Sequence, residues 1–89
     1  MKKIKSRYLL ADASQILEIN EAYIVHCIEC HWIKPIEPES LQLDEEDIAR
    51  LKLIVELQQD MGVNDEAIPI ILHLIDQLNA MRVEFRKRA

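Results

Sequence analysis

The chain has 89 residues, 49% hydrophobic, 30% charged and only 4% aromatic, with one glycine and three prolines; this describes one small, mostly helical domain whose limited core a second chain would help to complete. Eleven Lys and Arg against sixteen Asp and Glu leave a net charge of -5, which opposes nonspecific binding to phosphate backbones and acidic membranes. No apolar run approaches the roughly 20 residues of a membrane-spanning helix, and the basic start Met1 to Arg7 reaches Asp12 after only Tyr8, Leu9, Leu10 and Ala11, without the apolar core of an export signal, so the expected location is cytoplasmic.

Tyr8 to Leu10 reads as a short extended lead-in to a first helix with Asp12 near its N-terminus and an apolar stripe of Ala13, Ile16 and Leu17. Ile19 and Asn20 form a turn, Asn20 capping a second helix from Glu21 to about Cys30, with Ile24, Cys27 and Ile28 on one face. Two short helices across a tight turn make a helix-turn-helix, here without a glycine in the turn. Between Trp32 and Leu43, Pro35 and Pro38 forbid helix and predict an extended loop or a small hairpin wing. Asp44 caps a third helix whose first turn holds Glu45, Glu46 and Asp47, and whose stripe of Ile48, Leu51, Ile54, Val55 and Leu57 runs to Met61 and Gly62, the glycine suiting a left-handed C-terminal cap.

Asn64 then caps a last helix over Asp65 to about Lys87, roughly 35 Å long at about 1.5 Å per residue, with Pro69 close enough to its start to be tolerated. Ala67, Ile71, Leu74, Leu78, Met81 and Phe85 recur at alternating spacings of four and three, a heptad seam, while Ile68, Leu72 and Ile75 widen the apolar face of the first half. The expectation is a homodimer whose seam comprises Ile71, Leu74, Leu78, Met81 and Phe85; the alternative is a terminal helix folded back on its own core.

His26-Cys27-Ile28-Glu29-Cys30-His31 contains the C-x-x-C-H string of covalent haem attachment. Nothing at the N-terminus points to export, and zinc needs four ligands where one C-x-x-C pair and two divergently placed histidines stand. Two cysteines are too few and too close for the disulfide framework of a secreted domain, so helix periodicity and packing explain them as reduced thiols. His73 with Asp76 and Gln77 one turn on makes a conceivable acid–base pair, but there is no phosphate loop, zinc-protease string or serine elbow. No cofactor, no metal and no catalysis are expected.

From Tyr8 through Ile33 there is no Lys or Arg, while Asp12, Glu18, Glu21 and Glu29 place four negative charges on the helix-turn-helix. DNA affinity is built from cationic contacts to phosphate and from Arg, Lys, Asn or Gln on base edges, so DNA is an unfavoured partner. A second acidic run comprises Glu37, Glu39, Asp44, Glu45, Glu46 and Asp47. It reads either as a solvated face that also suits a helix start, or as a docking patch for a basic partner, with Trp32 and Ile36 as apolar anchors. The polar face of the last helix around Asp76, Gln77 and Asn79 is the other candidate surface.

With these residues in order, the chain resembles the MerR-like helix-turn-helix domain and, within that superfamily, the CbpM family of chaperone modulators. The resemblance spans nearly the whole chain and rests on Leu10-Ala11-Asp12, Ile19-Asn20-Glu21, Trp32-Ile33-Lys34-Pro35, Leu43-Asp44-Glu45-Glu46 and Gly62-Val63-Asn64 before Ala67-Ile68-Pro69-Ile70-Ile71-Leu72. It implies an all-α, MerR-like winged helix-turn-helix with a short extended wing and a long C-terminal helix: a basic tail over 1–7, the helix-turn-helix, wing and third helix over 8–61, and the long helix over 64–88. It also implies a non-enzymatic cytoplasmic protein that binds the J-domain of a DnaJ-like co-chaperone and inhibits its action with Hsp70, a role to which an acidic surface is suited. The alternative is a MerR-like DNA-binding transcription regulator, whose Arg and aromatic residues in the second helix are here replaced by Val25, His26, Cys27 and Ile28.

Overall fold

The computed structural model describes residues 7–35, 39 and 41–88, which form four α-helices: α1 Leu10–Leu17, α2 Glu21–Glu29, α3 Glu45–Val55 and α4 Ile68–Arg88. In α1, Asp12 accepts the Leu9 N–H at 3.4 Å, so the carboxylate serves the first turn from inside the helix. Glu18 then adopts φ 55°, Ile19 N–H returns to the Ser14 carbonyl at 3.1 Å, and the Ser14 hydroxyl donates to the Ile19 carbonyl. The turn dispenses with glycine by holding a glutamate in the left-handed conformation. Of the α1 stripe only Ala13 is fully buried; Ile16 stays exposed.

Asn20 occupies the N-cap of α2 with extended backbone, but its carbonyl rather than its side chain receives the first N–H, from Tyr23 at 3.0 Å. The helix ends in a Schellman arrangement: Trp32 N–H bonds to the Cys27 carbonyl and His31 N–H to the Ile28 carbonyl, both at 3.0 Å, with His31 at φ 62° where glycine is the usual occupant. This reversal carries Trp32 and Ile33 into the core, beside Ile24 and Cys27 of α2.

Of the wing, the described part consists of one antiparallel bridge. Leu43 pairs with Tyr8 through N–H···O bonds of 2.7 and 2.8 Å, so the extended lead-in is the pairing partner, not a second arm of the wing. At α3 the reciprocal box forms: Asp47 N–H donates to Asp44 Oδ1 at 2.8 Å and Asp44 N–H to Asp47 Oδ2 at 3.1 Å. The helix does not run regularly to Met61; after Val55 it widens into a π turn, Glu56–Asp60. Gly62 at φ 68° then lets Val63 N–H close onto the Leu57 carbonyl at 2.9 Å.

The start of α4 lies at Ile68, three residues after the expected Asp65. A helix beginning at Asp65 would need the residue 69 N–H to close its first turn, and Pro69 has none. Residues 65–67 form a turn instead, in which Asn64 Oδ1 accepts the Ala67 N–H at 3.0 Å. Buried Leu51 and Ile54 of α3 join Ile68 and Leu72 of α4 in the same core. Beyond Leu72 the helix leaves it: Leu74, Leu78, Met81 and Phe85 are 48–69% exposed. The Cα radius of gyration of 14.3 Å exceeds the roughly 12 Å of a compact 89-residue domain accordingly. The described chain does not fold this helix back on itself, and no helix among the described residues is long and apolar enough to cross a membrane.

Candidate functional site

Arg50 organises a polar feature between α3 and α4. Its Nε donates to the Trp32 carbonyl at 2.6 Å, and Nη1 and Nη2 grip the Asp76 carboxylate at 2.9 and 3.1 Å. One side chain of α3 thus fixes both the segment after α2 and the middle of α4 by a bidentate fork that lysine would not supply. The Arg50 hydrogen bonds, and the nearby charges of Arg50, His73 and Lys34, hold the Asp76 carboxyl below its ordinary value against a smaller desolvation effect.

Around this clamp lies a cleft of about 590 Å³ whose lining includes Trp32, Lys34, Glu46, Asp47, Asp76 and Asn79 and the apolar Leu53 and Ile75. Glu46, Trp32 and the polar face of α4 were separate candidates in the sequence; folding brings them to one place. The remainder of the acidic run divides. Glu39, Glu45 and Glu46 are exposed, but Asp44 and Asp47 are each only 8% exposed and are consumed by the reciprocal cap. They are structural residues, and burial pushes the Asp47 carboxyl upward. Trp32 is likewise a core residue at 4% exposure, not a protruding anchor. Glu37 and Ile36 lie outside the described residues.

A second polar cluster ties α2 to the chain before α4. The Tyr23 hydroxyl donates to Gln58 Oε1, Gln58 Nε2 donates to Asp65 Oδ1 at 2.6 Å, and His26 Nε2 lies 3.0 Å from Asp65 Oδ2. Cys30 Sγ approaches the same His26 nitrogen, at 3.6 Å. The thiol also lies 3.9 Å from Nδ1 of that ring. Both thiols are free; burial pushes Cys27 up to about 12, and burial with the Asp65 and Glu29 charges raises Cys30. The C-x-x-C spacing thus places Cys27 in the core and Cys30 at the helix end.

Arg50 and Gln58 both escaped the sequence reading. The available signal for Arg50 was its isolation, as the one cation between Lys34 and Lys52 beside an acidic helix start. Gln58 had none, because its role depends on the π turn. On α4, Ile71 is half-buried, while Leu74, Leu78, Met81 and Phe85 form an open face. The family model described as MerR HTH family regulatory protein matches residues 8–87. No curated protein matches the chain.

Proposed function

Because the chain belongs to the MerR HTH family of regulatory proteins, we propose that it regulates by binding another protein, as a non-enzymatic, cytoplasmic modulator that occupies the J-domain of a DnaJ-like co-chaperone and inhibits its action with Hsp70. The observation that carries this reading is the charge of the helix-turn-helix: Asp12, Glu18, Glu21 and Glu29 are all exposed, and no Lys or Arg occurs from Tyr8 to Ile33. A duplex would meet four negative charges where a DNA reader needs cations, whereas a basic helix would be attracted. Glu39, Glu45 and Glu46 are exposed as well.

The open face of α4 supports the homodimer, with Leu74, Leu78, Met81 and Phe85 as its seam and Ile71 at the inner end. Sedimentation at micromolar concentration is expected to give twice the 10.4 kDa chain mass; a monomer there ends the dimer. The function is tested by titrating the protein, at two salt concentrations, against the J-domain of a DnaJ-like co-chaperone from the same cell and against duplex DNA. Saturable J-domain binding that weakens with salt, and none to DNA, is expected. DNA binding with silence toward the J-domain would turn the assignment to a transcription regulator.

A further inference from the structure

Large apolar side chains left in water are sparse in the helix-turn-helix. Among the described residues 7–35 they are Leu9 and Ile16, each 56% exposed. Both belong to α1: Leu9 is its N-cap, and Ile16 lies two turns on, roughly 10 Å away at about 1.5 Å per residue. Exposed Asp12 stands between them, and the i, i+3, i+7 spacing puts all three on one side of the helix. The inner side of α1 is supplied by buried Ala13, with Leu10 and Leu17 packed against the core, so the fold makes no use of the outer stripe.

That stripe is held ready. Tyr8, beside Leu9, is pinned to Leu43 by two backbone hydrogen bonds of 2.7 and 2.8 Å. Asp12 Oδ2 accepts the Leu9 N–H at 3.4 Å, which orients the carboxylate and engages one of its two oxygens. Groups already ordered do not have to be ordered on binding. Charge decides what covers them. Asp12 is followed by exposed Glu18, two residues past Ile16, and by exposed Glu21; no Lys or Arg occurs from Tyr8 to Ile33, and the nearest described cation in sequence, Arg7, is at the Leu9 end. A second copy meeting this stripe with its own would set acids against the same acids, and a duplex would set phosphates against them; a cationic surface with apolar residues of its own meets neither repulsion.

We infer that the outer side of α1 is the docking face and that its occupant is a basic amphipathic helix of the partner: apolar side chains two turns apart cover Leu9 and Ile16, a Lys or Arg between them meets Asp12, and further cations lie toward Glu18. The inference rests on the protein-binding function proposed above. It adds the apolar contact which that function needs, since opposite potentials mainly set association rate and choice of partner while buried apolar anchors supply affinity.

The test titrates the full chain with the J-domain of a DnaJ-like co-chaperone and, separately, with a synthetic amphipathic helix of leucine and lysine, following backbone amide signals by NMR. The largest shifts are expected from Leu9 to Glu18, and not at Arg50 or Asn79. Leu9→Ser with Ile16→Ser should weaken J-domain binding by about tenfold or more; Ile16→Ser alone serves if the pair does not fold. Asp12→Asn, which can still accept the Leu9 N–H, should slow association by about threefold and flatten its salt dependence, while Asn79→Arg in the Arg50 cleft should change binding by less than about twofold. J-domain binding that survives the α1 variants unchanged, or shifts centred on Arg50 and Asn79, overturns the α1 face and leaves the proposed function standing. If the wild type ignores the J-domain, the proposed function fails and the peptide decides the face: shifts over α1 that Ile16→Ser abolishes uphold it, and a peptide that leaves the α1 amides unmoved, or moves them equally in Ile16→Ser, overturns it.

Discussion

The two halves of α4 carry the same kind of sequence and occupy different worlds. Ile68 and Leu72 are 0% and 2% exposed, whereas Leu78 and Phe85, on a helix that never breaks, are 48% and 69% exposed. Apolar periodicity reports that a face wants cover and is silent on whether the cover is the chain's own core or something else. What divides the halves is reach. The core supplied by α1, α2 and α3 extends along α4 only as far as Leu72, and Asp76, one turn on, is held to α3 by Arg50.

The sharpest way to break that comparison is to truncate one residue from each half. Leu72→Ala should cost about 2–5 kcal/mol of unfolding free energy in urea, and Leu78→Ala less than about 0.5 kcal/mol at concentrations where the chain is monomeric. Equal losses would mean that the outer half is as much a part of the folding unit as the inner. At the boundary, Arg50→Met should cost about 1 kcal/mol by the same assay, chiefly through the Trp32 carbonyl, since an ion pair with side chains 30% and 53% exposed contributes little.

How far such contrasts were legible in advance depended on whether the controlling contact was local. Gly62 and the Asp44 cap were readable because each acts within a few residues of itself. The inward turn of Asp44 and Asp47 was not, for D-x-x-D in an acidic run looks like surface until the reciprocal bonds are seen. Glu18 and His31 at positive φ escaped for the opposite reason: the usual marker, glycine, is missing from positions that need its conformation. The Arg50 clamp spans 18 and 26 residues and leaves no periodic trace. The candidate site was therefore legible as ingredients, in Trp32, Glu46, Asp76 and Asn79, and illegible as one place.

Acid supplies a gentler test of the boundary. Asp76 is depressed below its ordinary value of 3.8, so its contribution is complete above that pH and disappears as pH falls through the lower folded-state value. Asp65, lowered by its bonds from Gln58 and His26, behaves in the same sense, while Asp47, raised by burial, acts in the opposite one. Both are common to wild type and Asp76→Asn, so the stability difference between those two proteins should shrink below about pH 4 and vanish once Asp76 is protonated; a constant difference down to that point would remove the carboxylate from the clamp. Smallest of all, Ala80→Gly in the projecting half should lower the monomer's stability by only a few tenths of a kcal/mol, against about 1 kcal/mol for a glycine inside a fully cooperative helix. The larger value, measured where the protein is dimeric, would show that the outer half becomes rigid on pairing.

Trp32 is the chain's one tryptophan, and its position gives the molecule an optical reporter that needs no label. Its indole is shielded from water, meets the His26 imidazole edge-on at a ring-centre distance of 5.3 Å, and belongs to a residue whose carbonyl is gripped by Arg50. Emission should therefore be blue-shifted in the folded state and respond when Arg50 is disturbed from the cleft side. One fluorescence channel thus reads core integrity and the state of the Arg50 clamp together, and comparing a denaturant titration of the wild type with one of Arg50→Met separates them.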